Sequence, residues 1–305
     1  MTERRGARLP LARGPDAIWR ARPALYSPAA WLLLLGLDLL PWPQGEDLLA
    51  RLFAAKVFLR PARLRRVLRW ARVYTSGRRE RWRLALATCA HHGRVLGRSA
   101  IIGLRHPDQL RPYLRVRGEE HLHAASVGLI LLGFHLGMPS SDVVLRMMGH
   151  PVTWLGGWRS SPGWSRQAWR GFVGSTEALS LSEGKASRGA VLLRALRILL
   201  DGGTIYMTAD GGSGREAFRV PLPGGRVTIG SGWLTLRERT GATVLPVLAH
   251  LEGRTHVVTI HPPLPSLQAD VAHEACREVL GRLLTDYVRR FPEQCYSLPF
   301  RTAGE

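Results

Sequence analysis

The sequence predicts an α/β protein with a mostly parallel central sheet flanked by helices, preceded by a basic helical N-terminal region. Three observations carry this. From residue 127 onward, short apolar runs alternate with stretches of helical periodicity, the pattern of strand–helix–strand units. Beyond the first residues the N-terminal third is helical in pattern, among many arginines. A composition of 45% hydrophobic and 22% charged residues supplies enough apolar surface for a packed core and excludes a disordered chain. The 305 residues lie near the upper limit for one core, so one large domain with an appendage is expected.

Residues 1–28 carry Pro10, Pro15, Pro23 and Pro28 among charges and read as an irregular arm. Residues 29–120 read as a basic, membrane-associating helical region. Leu48, Leu49, Leu52, Phe53 and Val57 keep helical spacing, and Leu64, Val67, Leu68 and Ala71 repeat it after Pro61. The net charge is +20, and every basic residue except Lys56 and Lys185 is arginine. Between Arg60 and Arg83 ten arginines face the single Glu80, interleaved with Leu64, Trp70, Tyr74 and Trp82. That pattern suits an interfacial segment whose arginines meet anionic headgroups while its apolar face inserts. The alternative is a solvated arginine face over a stripe that faces the core. The run Ala29–Leu40 is about 12 residues, interrupted by Asp38, and too short to span a bilayer, which takes about 20. Cys89, Cys276 and Cys295 show no CxxC spacing, so reduced thiols are expected and no metal site.

Residues 121–305 read as the α/β domain. Val127–Phe134 is a continuous apolar run, the form of a strand buried on both faces. Pro139 opens a helix running to about Gly149, Pro151–Leu155 is a short strand, and Ala190–Leu200 a helix. Thr204–Thr208 is a strand entered through Gly202–Gly203. Pro221–Gly225 is a turn, and Val227–Thr240 reads as helical. Ala242–Ala249 and His256–Ile260 are strands, and Ala269–Arg290 is a closing amphipathic helix.

Two stretches carry candidate chemistry. In the first, a buried strand delivers His135 to a Gly-containing turn ahead of a helix, where α/β proteins expose reactive side chains. An imidazole there can take a proton from a hydroxyl near neutral pH. Such a base usually has a carboxylate on its other nitrogen, and Asp142 is the nearest downstream one. The bland reading is a strand-end histidine satisfied by backbone, with Asp142 complementing the dipole of the helix's first turn. In the second stretch, strand 204–208 ends at Asp210 and the glycine loop Gly211-Gly212-Ser213-Gly214. It matches neither a P-loop nor a GxGxxG fingerprint. GxSxG and HExxH are absent too, which leaves hydrolase and zinc readings without specific support. Trp154, Trp158, Trp164 and Trp169 lie among Arg159, Arg166 and Arg170, as groove-lining or core residues.

Together these stretches resemble the lysophospholipid acyltransferase superfamily, in particular its bacterial lipid A biosynthesis (lauroyl/myristoyl) acyltransferase-like branch. The resemblance runs over most of residues 100–300. It rests on the apolar strand into Phe134-His135, the Gly203–Asp210 strand and the Gly-rich loop. To these it adds Thr240-Gly241-Ala242-Thr243-Val244-Leu245-Pro246-Val247, Pro262-Pro263-Leu264 and Phe291-Pro292-Glu293-Gln294-Cys295-Tyr296.

The resemblance implies transfer of an acyl chain from acyl carrier protein or coenzyme A to a hydroxyl of a membrane lipid. The acyl thioester is then a co-substrate and no further cofactor is needed. It also implies a peripheral or monotopic place on the cytoplasmic face of the bacterial inner membrane, against an anionic surface. His135 would be the base. Asp210, Gly211 and one of Arg159, Arg166 or Arg170 would contact the polar substrate parts. The family spacing HxxxxD or HxxxxE puts the acid at position 140, where this chain has Ser140. Either Asp142 takes that role, or another carboxylate such as Asp210 does, or the site is degenerate and the protein is a lipid-binding relative. The +20 charge with interleaved aromatics also raises nucleic-acid binding, but no recognition motif accompanies it and no nucleic-acid partner is expected.

Overall fold

The computed structural model describes residues 40, 42–102, 110–123, 128–138, 140–156, 178–180, 185–210, 216–265 and 272–295. The arm at 1–28, the run Ala29–Leu40 apart from its last residue, and the Trp158–Arg170 stretch lie outside them, as does Gly211.

Among the described residues three helices come first: α1 (Trp42–Phe58), α2 (Pro61–Tyr74) and α3 (Arg78–Ile102). Pro61 occupies the first position of α2, where its missing N–H would have no partner anyway. Val67 and Ala71 of α2 join Val57, Ala85 and Cys89 in a small core of their own. Trp70 turns instead into the main core, donating its Nε1–H to the Pro292 carbonyl at 3.0 Å. Tyr74 donates to the Pro223 carbonyl at 2.8 Å. The Trp70 and Tyr74 side chains of this arginine-rich helix are therefore tied to protein, while Val73 on the same helix stays exposed. Arg63, Arg65, Arg69 and Arg72 remain exposed. No described helix is long and apolar enough to cross a membrane.

Among the described residues seven strands form one sheet. In chain order they are β1 (Leu114–Arg117), β2 (Leu129–Gly133), β3 (Thr153–Gly156), β4 (Ala178–Ser180), β5 (Thr204–Thr208), β8 (Thr243–Glu252) and β9 (Thr255–Ile260). A separate antiparallel hairpin is made by β6 (Glu216–Leu222) and β7 (Gly225–Gly230). The sheet order is β1-β9-β8-β2-β5-β3-β4. All neighbours run parallel except β8 and β9, which form an antiparallel hairpin. The α/β expectation, with its mostly parallel sheet, holds.

Further helices are α4 (Glu120–His123), α5 (Ser141–Met147), α6 (Lys185–Leu200), α7 (Gly232–Thr240) and α8 (Ala272–Arg290). Alternation along β2 assigns the two layers: Ile130 and Leu132 face the core built with α6, α7, α8 and the β6–β7 hairpin, while Leu131 faces the one built with α5. Both faces are covered, which is why the strand reads as an unbroken apolar run.

Three sequence expectations need correcting. Residues 114–117 pair with β9 inside the sheet, within the stretch expected to be helical. Val227–Thr240 is not one helix: Gly225–Gly230 is a strand, and the helix begins only at Gly232. Ala178–Ser180 is an edge strand that the sequence reading omitted.

Candidate active site

The register of two parallel strands builds the site. β2 and β5 pair Leu129 with Thr204 and continue in step to Gly133 with Thr208. Ala209 extends the ladder by donating to the Gly133 carbonyl at 2.9 Å. Two residues past each strand the same offset sets His135 opposite Asp210. The Asp210 carboxylate accepts from the His135 amide at 3.0 and 3.1 Å, and its Oδ1 lies 2.9 Å from the ring Nδ1. The Asp210 side chain is fully buried, whereas 42% of the His135 side chain is exposed. An ionised carboxylate at that distance fixes Nδ1 as the protonated nitrogen and leaves Nε2 as the ring's acceptor. A buried acid orienting a reachable imidazole is the arrangement of a general base.

The loop after His135 is held on several sides. Gly137 donates its N–H to the Gln294 carbonyl at 3.1 Å, and Met138 donates to the Ala249 carbonyl at 2.9 Å. Tyr287 of α8 donates to the same Ala249 carbonyl at 2.7 Å. Gly137 has φ +69°, and a Cβ there would fall 1.9 Å from the Tyr287 hydroxyl oxygen and 2.0 Å from the Ala249 carbonyl oxygen. Only glycine fits this close approach. From α3, the buried His91 ring hydrogen-bonds the Gly137 backbone in the sense that favours a protonated ring, which makes the Gly137 carbonyl the acceptor. With its amide committed to Gln294, Gly137 does not supply the oxyanion-binding N–H that its place beside His135 suggests.

Asp142 lies elsewhere. It sits in the first turn of α5, fully buried, and pairs with Arg146 one turn on. Burial raises its pKa, while Arg146 and the Val143 and Asp142 backbone groups pull the other way. The carboxylate on the His135 ring is that of Asp210, while the Asp142 carboxylate lies on Arg146 in the first turn of α5. Ser140, at the family's acidic position, is buried in a left-handed conformation with φ 73°. Its hydroxyl has no hydrogen-bond partner among the described residues. Tyr206 of β5 lies under the dyad; burial raises its pKa, the Asp142 and Asp210 charges add to this, and a hydrogen bond from Ser141 opposes them.

Arg159, Arg166, Arg170 and Gly211 lie outside the described residues. Among those described, no His, Cys, Asp and Glu cluster is arranged to hold a metal ion. The sequence reading missed the loop's supports, Gln294, Tyr287 and His91. Their signals were faint: a Gln in the closing PEQ segment, a Tyr on the apolar face of the last helix, and a His beside another in a basic helix, a pair that reads as surface residues although His91 is buried.

A second buried polar group ties the N-terminal helices to the sheet. Arg98 of α3 pairs with Glu46 of α1 at 2.7 Å, both nearly inaccessible, and donates to the Arg254 carbonyl at 3.0 Å in the β8–β9 turn. His256 beside it is fully buried, and neither ring nitrogen has a hydrogen-bond partner among the described residues. Burial drives its pKa well down, helped by the Arg98, His250 and His91 charges.

No family model matches the chain, and no curated protein matches it in sequence. Among solved structures it is similar to the 1-acyl-sn-glycerophosphate (LPA) acyltransferase PlsC from Thermotoga maritima. The two are 17% identical over 84% of this chain and 95% of that one, with a TM-score of 0.40.

Proposed function

We propose that this protein is an acyltransferase that moves a fatty acyl chain from an acyl thioester to a hydroxyl of a membrane lipid, with His135 as general base and Asp210 as its orienting acid. The observation that carries the proposal is the dyad: a buried carboxylate 2.9 Å from Nδ1 of an exposed imidazole at the carboxyl end of a parallel sheet. It supports Asp210 as the acid: a carboxylate from the neighbouring strand lies on the His135 ring, while position 140 holds a serine.

In the reaction, Nε2 of His135 takes the acceptor hydroxyl proton as the oxygen attacks the thioester carbonyl carbon. The carbon–sulfur bond then breaks, and the departing thiolate recovers a proton from the imidazolium. Asp210 holds the tautomer and offsets the ring's transient positive charge. Base catalysis of this type contributes about 10²–10⁴-fold in rate.

The donor in this reading is acyl carrier protein or coenzyme A thioester. The acceptor is a lipid at the cytoplasmic face of an inner membrane, approached through the exposed arginines of α2, whose forks suit phosphate. The lipid A branch remains the preferred assignment on the motifs quoted above. The test incubates purified protein with a labelled acyl thioester and extracted bacterial membrane lipids. Labelled lipid is expected with the unmodified chain and none above background with His135→Ala; an active His135→Ala variant refutes the role of the base.

A further inference from the structure

We infer that Gln294 is a positioning residue: it clamps the His135 loop onto the sheet so that the imidazole stays on Asp210. The inference rests on the reading of His135 as the base, but its geometry is independent of which acyl group is moved. Gln294 is buried in the short 3-10 turn after α8. Its side-chain amide pairs with both backbone groups of Leu251, accepting the N–H at 2.7 Å and donating to the carbonyl at 3.0 Å. In effect the amide adds one rung to the end of β8. Its own backbone carbonyl accepts the Gly137 N–H at 3.1 Å, two residues beyond His135. One residue therefore joins the edge of β8 to the loop that carries the base.

This clamp works beside other supports of the loop: Gly137 bridges Ala249 of β8, and the Leu136 and Met138 side chains are buried in the core. The β2 ladder ends at Gly133, Gly137 is in a left-handed conformation, and the Asp210 carboxylate accepts from the His135 amide and lies on its Nδ1. The Met138 bond to Ala249 anchors the far side of the loop. A shift of the turn that holds Gln294 carries the Gly137 bond with it and moves the His135 ring relative to Asp210. A displacement of about 1 Å at a reacting group costs on the order of 10²-fold in rate.

Gln294→Met keeps length and bulk but removes both bonds to Leu251. Its kcat is expected to fall about 100-fold while KM changes less than about threefold. The pH–rate midpoint should move down, because a ring further from the Asp210 carboxylate loses the charge that favours its protonated form. In ¹⁵N spectra of labelled full-length protein, the His135 population protonated on Nδ1 should shrink. Gln294→Glu adds a rescue arm. When protonated, its carboxyl offers Leu251 one acceptor and one O–H donor, as the amide does. When ionised it faces the Leu251 carbonyl with like polarity. Its activity relative to the unmodified chain should therefore be higher at pH 6 than at pH 8.

Val67→Ala, in the separate small core of α1–α3, serves as the stability control. The inference is overturned if Gln294→Met lowers Tm but leaves the His135 tautomer and pH midpoint unchanged, or if Val67→Ala shifts them equally. If Gln294→Met is not recovered folded, the pH dependence of Gln294→Glu decides. Should the unmodified protein transfer no acyl group, the functional reading fails while the tautomer measurement still tests the clamp.

Discussion

Lowering the pH should loosen the packing of α3 on the His135 loop, and His91 gives the size of the effect. Burial, with the nearby Arg94, Arg98 and His92 charges, holds its ring down to about 3, against the opposing bond to Gly137. A histidine in the unfolded chain titrates near 6.5. Above that pH the ring is neutral in both states and the stability is complete. Below it the unfolded chain takes up the proton first, so stability falls continuously from about pH 6.5 towards 3. A pH of 5 lies about one and a half units below the unfolded-chain value, while the folded ring is still neutral there. At about 1.4 kcal/mol per unit, this one residue then costs about 2 kcal/mol.

His91→Gln keeps an N–H donor for the Gly137 carbonyl but does not titrate. Urea unfolding of both proteins at pH 7.5 and pH 5 measures the difference. The unmodified chain should lose about 2 kcal/mol more than the variant between the two values. His92 and His261, each held down to about 4, shift the same way in both proteins and drop out of the comparison. Equal losses, within about 0.5 kcal/mol, would refute a buried, neutral His91.

Three further outcomes follow from the packing. Gly137→Ala places a methyl about 2 Å from the Ala249 carbonyl oxygen and the Tyr287 hydroxyl at a left-handed φ; backbone strain alone costs about 1–2 kcal/mol, so Tm should fall and transfer activity disappear. Arg146→Leu leaves the Asp142 carboxylate buried without its partner; about 3–5 kcal/mol of stability should be lost, read by chemical denaturation. Arg98→Leu should cost a similar amount by stranding Glu46, and Glu46→Leu added to it should restore most of the loss.

Much of the site was written in the strands themselves. Gly128 and Gly203 each precede a five-residue strand, and each is followed seven positions on by a polar residue, His135 and Asp210. Had the two strands been taken as parallel neighbours entered in step, the dyad would have followed from counting. The sequence reading kept Asp210 open but favoured Asp142, because nearness along the chain is legible while strand order is not. Strand order depends on which helices cover which face, a property of the whole fold.

The β6–β7 hairpin was misread for a different reason. Val227 and Ile229 alternate at period two, but the apolar residues after Gly232 follow at helical spacing, and a single window merged them. The aromatic face of α2 looked interfacial because an apolar stripe opposite arginines is the same pattern whether lipid or protein covers it. The bonds of Trp70 to Pro292 and Tyr74 to Pro223 show where those two side chains go, and both partners lie about 150 or more positions away. The buried Arg98–Glu46 pair was illegible for the same reason: nothing in a basic helix marks which arginine faces inward.

The central claim is that Asp210, and not Asp142, is the acid that serves His135. Single-turnover transfer from a labelled acyl thioester by folded Asp210→Asn and Asp142→Asn proteins tests it most directly. The account predicts that Asp210→Asn lowers the chemical rate by about 10³–10⁴-fold, the scale of losing an orienting carboxylate, while Asp142→Asn stays within about threefold of the unmodified chain. A fully active Asp210→Asn protein, or a rate lost only in Asp142→Asn, would contradict it.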